Sequence, residues 1–125
     1  QHSCMFSKYE NTPSDRAIVE AYNKLKIKFK RYSFLERGSD ERQYNSPGID
    51  LPIASIFRTK YGEYPEYHTS LDDLGVVTPS GLEGGYSAVK KAIEIIDHDT
   101  QRELKIVPGR SIYSLIQRNK ISGNP

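Results

Sequence analysis

The most constraining feature of the sequence is a long amphipathic segment in its second half. Thr78 is suited to cap a helix and Pro79 to occupy its first position. Apolar side chains then recur at the spacing of one helical face, at Leu82, Tyr86, Val89, Ile93 and Ile96. This pattern predicts a helix of about 18 residues, which Gly84 and Gly85 weaken without abolishing.

A second helix is predicted near the start of the chain. Thr12 is a capping residue, Pro13 suits the first helical position, and Asp15 places a negative charge in the first turn. One apolar face follows at Ile18, Tyr22 and Leu25. Together these signals predict a helix that begins at Pro13.

Two strands and two loops lie between these helices. Alternating apolar and polar residues predict a strand over 29–36, and the apolar run 51–57 suits a buried strand of a mainly parallel sheet. A polar loop with one helical turn (38–48) follows the first strand, and a long polar loop (58–80) follows the second. This order predicts an α/β fold, in which ligands bind at the carboxyl ends of strands, so function is expected in these two loops. Residues 100–125 are interpreted as a charged connector or the start of a following segment.

Composition excludes several classes of function. The chain of 125 residues carries 18 basic and 16 acidic side chains, so neither a nucleic-acid surface nor a membrane surface is indicated. Its longest apolar runs are too short for a membrane span. Cys4 is the only cysteine, which excludes an internal disulfide and a cysteine-based zinc site and fits a reducing, cytoplasmic compartment.

The first loop carries charged side chains that suit metal or substrate binding. Asp40 and Glu41 could bind a metal, orient a ligand histidine or share a proton. Arg42 could hold a substrate carboxylate in a bidentate fork. The alternative is a charged surface loop in which Asp40 only caps a helical turn.

The second loop carries His68, followed by Asp72 and Asp73. A neutral imidazole is the commonest protein metal ligand, and a carboxylate that accepts from its second nitrogen fixes the tautomer. Either aspartate could supply that acceptor. The spacing is not a recognised zinc motif. The alternative is that His68 binds no metal and that one of the aspartates caps the next turn.

Three separated stretches in these loops carry a specific resemblance. They are 32–44, which includes Glu-Arg-Gly-Ser-Asp-Glu-Arg-Gln-Tyr; 46–52, Ser-Pro-Gly-Ile-Asp-Leu-Pro; and 60–74, Lys-Tyr-Gly-Glu-Tyr-Pro-Glu-Tyr-His-Thr-Ser-Leu-Asp-Asp-Leu. With the preceding 7–16 segment they span about residues 7–98 in the right order. Over this length the sequence resembles a bacterial aminopeptidase-like family whose members are often encoded among surface-polysaccharide biosynthesis genes.

That family is similar to the two-zinc aminopeptidases and glutaminyl cyclases. The resemblance implies a partial three-layer α/β/α fold with a mostly parallel or mixed sheet. It also implies that residues 1–99 are the distal part of the catalytic domain. It implies that His68 is the last zinc ligand and that Glu41 stands where the superfamily has a histidine. The acidic residues expected to support the site are Asp40, Glu41, Asp72 and Asp73. The side chains expected to line a substrate pocket are Arg42, Tyr44 and Tyr67.

The sequence also departs from this superfamily. The other zinc ligands and the general base would precede this chain, and one histidine cannot hold a catalytic zinc. The resemblance therefore implies the C-terminal portion of a zinc-dependent hydrolase acting on a peptide, an amide or an amino-sugar derivative, inactive in isolation. The alternative is a non-catalytic binding or assembly module that keeps the fold without the metal.

The opening of the chain fits a piece of a longer sequence. Residues 1–6 carry no initiator methionine, helix cap or turn, which suits a fragment, a cleaved product or a disordered upstream region. A fragment of such a fold has an exposed sheet edge. We therefore expect self-association, or dependence on the missing N-terminal half.

Overall fold

Short strands and two long helices make up the computed structural model, which describes the backbone of residues 1–105 and the side chains of residues 1–100. In chain order the elements are β1 (His2–Met5), α1 (Pro13–Lys24), β2 (Phe29–Tyr32), a 3-10 turn (Phe34–Glu36), α2 (Glu41–Tyr44), β3 (Ser55–Phe57) and α3 (Pro79–Lys105). The remainder of the predicted connector, 106–125, lies outside the described residues.

β1 is the central strand of a three-stranded sheet with the order β2-β1-β3. It pairs in parallel with β2, with Cys4 opposite Arg31, and antiparallel with β3, with Cys4 opposite Ile56. The α/β class is therefore confirmed, with a mixed sheet. The expectation that 51–57 belongs to a mainly parallel sheet is wrong, because β3 runs against its neighbour.

α1 and α3 pack side by side on one face of this sheet. The buried residues of that core are Cys4, Ala17, Ile18, Ala21, Tyr22, Ala88, Ala92 and Ile95. Alanines on both helices allow the two backbones to approach closely. The Tyr22 hydroxyl donates to the carbonyl oxygen of Ser3 at 3.0 Å, which ties α1 to the central strand.

The other face of the sheet is covered by loops and by α2. Met5 and Tyr32 lie opposite each other there and are buried. The Lys60 ammonium lies 5.2 Å from the centre of the Tyr32 ring, and Ser55 donates to the Glu41 carboxylate. Of the implied three layers, the described residues thus form one helix layer, the sheet and a layer made mainly of loops.

The start of α1 is fixed by a buried carboxylate. Asp15 is 2% exposed and accepts from both the backbone nitrogen and the hydroxyl of Ser7, at 2.8 and 2.6 Å. It also accepts from the Thr12 backbone nitrogen at 2.9 Å, which completes a capping box with Thr12. The predicted helix start is confirmed, and the same carboxylate holds the end of β1 to the beginning of α1.

Two predicted strands are shorter than expected. β2 ends at Tyr32 because Ser33 and Glu36 form their own capping box around the 3-10 turn, in which the Ser33 nitrogen donates to Glu36 at 2.8 Å. In the 51–57 run only Ser55–Phe57 is paired. Pro52 lacks the N–H group that a ladder needs, so the strand begins after it.

α3 begins at Pro79 as predicted but is 27 residues long and buries a different face. The side chains in contact with α1 and the sheet are Ala88, Ala92 and Ile95. The larger apolar residues expected to face the core are exposed by 41–67%: Leu82, Tyr86, Val89, Ile93 and Ile96. We call these five residues the α3 stripe. Residue size decided the buried face, because small side chains permit close helix packing. Among the described residues, no helix combines the length and apolarity that crossing a membrane requires.

We expect Asp15→Asn to weaken the fold at neutral pH and to reduce its acid sensitivity. Burial raises the pKa of Asp15, but hydrogen bonds from Ser7 and Thr12 outweigh burial, so the pKa lies below its ordinary value. The ionised carboxylate therefore contributes stability above about pH 4, and this contribution is lost as the pH falls through the folded-state pKa. The loss at pH 7 should be about 1–3 kcal/mol.

Urea unfolding of both proteins at neutral and acidic pH measures this difference. Asp40→Asn is the matched control, because Asp40 is exposed and makes no capping hydrogen bond. An Asp15→Asn protein as sensitive to acid as the unmodified chain would contradict the assignment.

Candidate functional site

The two loops that the sequence singles out are joined by three tyrosines, Tyr61, Tyr64 and Tyr67, which we call the tyrosine cluster. The ring centroids of Tyr61 and Tyr67 are 6.1 Å apart, and those of Tyr64 and Tyr67 are 5.7 Å apart. The Tyr61 hydroxyl accepts from the Gly38 backbone nitrogen at 2.6 Å. Tyr61 also packs edge-on against Phe57 of β3. The second loop is thereby attached both to the first loop and to the sheet.

His68 lies next to this cluster at the surface. Its ring stacks on Tyr67, with centroids 3.9 Å apart and planes 18° from parallel. Its backbone is in the left-handed region, with φ at 60°, which is uncommon for residues other than glycine. The turn is closed by Thr69, whose backbone nitrogen and hydroxyl both donate to the Glu66 carbonyl oxygen, at 3.0 and 2.7 Å. The imidazole is exposed, and within residues 1–100 its nitrogens make no hydrogen bond.

Glu41 is buried, with 7% of its surface exposed, and its carboxylate is used by the fold. One oxygen accepts from the Ser39 backbone nitrogen and the other from the Ser55 hydroxyl, each at 3.1 Å. Burial raises the pKa of Tyr61, and the Glu41 charge raises it further. Glu41 therefore lies near the tyrosine cluster and connects α2 to β3.

The two aspartates after His68 have separate roles. Asp72 accepts from the Tyr64 hydroxyl at 3.3 Å, and Asp73 accepts from the Gly75 nitrogen at 2.7 Å. Burial raises the pKa of Tyr64, and the Asp72 charge and hydrogen bond add to this effect. Asp73 thus closes the following turn, as the alternative interpretation allowed. Within residues 1–100 neither aspartate forms a hydrogen bond or ion pair with His68, so their support of a metal ligand stays a prediction.

The remaining predicted site residues lie on or beside α2 and are exposed. Asp40 precedes the helix without a side-chain capping bond. Arg42 acts electrostatically on Tyr61 and lines a wide, shallow depression of about 600 Å³. Tyr44 is 47% exposed, and no contact joins its ring to the tyrosine cluster within the described chain. The structure therefore brings Glu41, Arg42 and Tyr67 together around Tyr61, and leaves Asp40 and Tyr44 at the periphery.

The donor set for a metal is incomplete in the described residues. No group of three or more His, Cys, Asp or Glu side chains within residues 1–100 is arranged to hold a metal ion. A catalytic zinc normally takes three protein ligands and keeps one open position. These residues alone do not fit a zinc site, and the assignment of His68 as a ligand remains a prediction.

Comparison with known proteins places the chain in a family. Residues 1–99 match the model of a family described as "Domain of unknown function (DUF4910)". The chain belongs to this family. It is 32% identical over 93 residues to a Clostridium acetobutylicum protein named "Putative polysaccharide biosynthesis protein with aminopeptidase-like domain", a match that covers 74% of this chain and 21% of that protein. The resemblance to an aminopeptidase-like family is therefore confirmed.

A solved structure agrees with this assignment. The crystal structure of a "putative peptidase" from the same organism superposes with a TM-score of 0.71 and 30% identity, over 76% of this chain and 22% of that chain. This DUF4910 chain thus spans about a fifth of the length of the relatives it matches. The match supports a peptidase-like domain with the α/β arrangement described above.

Sequence reasoning missed Tyr61, which holds the site of this DUF4910 chain together. The available signal was the recurrence of tyrosine at every third position, Tyr61, Tyr64 and Tyr67. Cys4 is fully buried, and burial raises the pKa of its thiol to about 11, so the thiol stays protonated.

We expect Tyr61→Phe to loosen the first loop while the ring contacts persist. The change removes the acceptor of the Gly38 nitrogen and should cost about 1 kcal/mol or less, because Gly38 is exposed and water can replace the bond. Amide exchange at Gly38 is the local readout, and urea unfolding the global one. Tyr44→Phe is the control, since Tyr44 is exposed and its hydroxyl makes no protein hydrogen bond within residues 1–100. Equal exchange at Gly38 in both variants would disprove the role of Tyr61.

Proposed function

We propose that this chain supplies the His68 segment of a zinc-dependent, peptidase-type hydrolase site whose other ligands lie outside it. The observation that carries the proposal is the presentation of His68. Its imidazole is exposed, stacked on Tyr67 and without a protein hydrogen bond in the described region, in a left-handed turn. An aminopeptidase-like relative and a peptidase-like structure support the class of reaction.

The physical argument is preorganisation. A metal ligand must keep its ring in a fixed orientation, and the Tyr67 face restricts rotation of the His68 ring. The tyrosine cluster in turn is attached to β3 through Phe57 and to the first loop through Gly38. A left-handed backbone at a residue other than glycine carries strain, which is often found at functional sites.

Zinc is the metal we propose for the longer protein, where it would polarise a carbonyl group and lower the pKa of a bound water. The described residues do not complete such a site, so we derive no catalytic step from them and expect the chain alone to be inactive. Arg42 and Tyr67 are the candidates for substrate contact in this region. The substrate class is a peptide, an amide or an amino-sugar derivative, and the last would suit a relative named for polysaccharide biosynthesis.

A second function, a non-catalytic binding or assembly module, is favoured by one observation. Glu41 stands where the resemblance expects a histidine, and both of its oxygens are used to join Ser39 and Ser55. In this alternative the fold is kept, the metal is absent, and His68 has lost its role.

Zinc titration separates the two functions. By calorimetry, the 125-residue chain should show no tight stoichiometric zinc binding, because it supplies a single ligand. In the natural polypeptide that contains this chain, His68→Ala should lower zinc affinity at least about tenfold, because the zinc loses one of its ligands. The matched control is His98→Ala, since His98 is an exposed histidine on α3. Full zinc content after His68→Ala would overturn the metal proposal and favour the assembly module.

Association is the second expectation that the proposal carries. The α3 stripe is a continuous apolar surface on one helix, and a water-exposed surface of this kind favours contact with another chain or with the missing N-terminal half. Sedimentation of the 125-residue chain should show self-association that Ile93→Lys weakens about tenfold. Lys90→Gln, an exposed change outside the α3 stripe, should leave it unaltered. A monomer at high concentration, unaffected by either change, would contradict self-association.

A further inference from the structure

A pocket of about 290 Å³ lies between the second loop and the first turns of α3. Its apolar wall is formed by Val76, Val77 and Leu82, the last of which is also the first residue of the α3 stripe. Its polar lining includes Arg58, Thr59, Tyr64, Asp72 and Thr78. His68 is not part of this lining, although Asp72, one of the acidic residues expected to support it, is.

Arg58 is the positively charged residue that lines this pocket. Among residues 1–100 no Asp or Glu pairs with its guanidinium. One of its nitrogens donates to His2, whose pKa is lowered by burial and by the Arg58 charge, so that His2 is neutral and accepts the bond. A guanidinium has five N–H donors, and the others have no protein acceptor in the described chain.

Gly84 allows this arginine to lie against α3. A Cβ atom at position 84 would be 2.9 Å from an Arg58 guanidinium nitrogen and 3.2 Å from His2 Nε2. Any larger residue would displace the guanidinium. Glycine is a poor helix former, so its presence in this helix fits the close approach of Arg58.

Asp72 supplies the opposite charge in the same pocket. The Tyr64 hydroxyl donates to one of its oxygens at 3.3 Å, which leaves the second oxygen available. Arg58 and Asp72 both line the pocket, yet they are too far apart to form an ion pair. The pocket therefore presents a separated cation and anion beside an apolar wall.

We propose that this pocket binds a free α-amino acid with an apolar side chain. The ligand carboxylate pairs with the Arg58 fork, its ammonium group with Asp72, and its side chain packs on the apolar wall. A simple anion is disfavoured because Asp72 repels it. A purely apolar ligand is disfavoured because it would take water from both charged groups without supplying an opposite charge to either.

L-Leucine is the probe, titrated calorimetrically into the metal-free 125-residue chain. We expect saturable one-to-one binding. Leucine amide, which lacks the carboxylate, and 4-methylpentanoate, which lacks the amine, should each bind at least about tenfold more weakly. Because this comparison uses the unmodified chain, it does not depend on a variant that folds. Equal binding of the three compounds, or no leucine binding at millimolar concentration, would overturn the proposal.

Variants assign the binding to the pocket. Arg58→Gln and Asp72→Asn should each weaken leucine binding at least about tenfold. Arg37→Gln is the matched control, because Arg37 is an exposed arginine that packs over the Phe34 ring, outside the pocket. Undiminished binding by the Asp72→Asn chain, or by a folded Arg58→Gln chain, would refute the assignment. Leucine binding should persist in His68→Ala. The zinc titration therefore tests the metal proposal, the leucine titration tests the pocket, and either proposal can fail without the other.

Discussion

The pairing of β1 with a strand on each side is the interaction on which the rest of the structure depends. The four residues of β1 include Cys4, which lies under α1 and α3, and Met5, which lies under the loop layer. The two sides of the core therefore meet at this one strand. The buried Asp15 carboxylate fixes where the chain leaves this strand and enters α1. On the opposite face, β3 carries Phe57 and Ser55, which hold Tyr61 and Glu41. The position of His68 therefore depends, through the tyrosine cluster, on the pairing of β3 with β1.

Local signals in the sequence predicted the helix starts and the loops, because caps act over a few residues. Thr12 and Pro13, and then Pro79, mark helix boundaries that the structure confirms. β1 could not be predicted in the same way: it has four residues at the beginning of the chain, and its partners lie far along the sequence. The short 3-10 turn at Phe34–Glu36 was predictable in principle from the Ser33 and Glu36 capping box.

The buried face of α3 shows why hydrophobicity alone misleads. The pattern with the largest apolar side chains is the α3 stripe, and it is exposed, while Ala88 and Ala92 face α1. Close packing of two helices needs small side chains, a requirement that a hydrophobic period does not encode. At the candidate site, His68 and Tyr67 were predicted from their residue types and by resemblance, and their roles stay predictions. The link through Tyr61, and the use of Glu41 to join α2 to β3, depend on contacts between distant residues that no spacing rule contains.

The length of α3 has a mechanical consequence. Twenty-seven helical residues rise about 40 Å, so Lys105 lies roughly that distance from the N-terminal end of the helix. The first turns of α3 border the second loop and Arg58, whereas the far end of the helix lies beyond Ile95, its last buried residue within 1–100. α3 is therefore a rigid spacer, held by α1 along its small-residue face. Because α1 contacts the helix around Ala88 and Ala92, a small tilt of α3 about that contact would move its two ends in opposite directions.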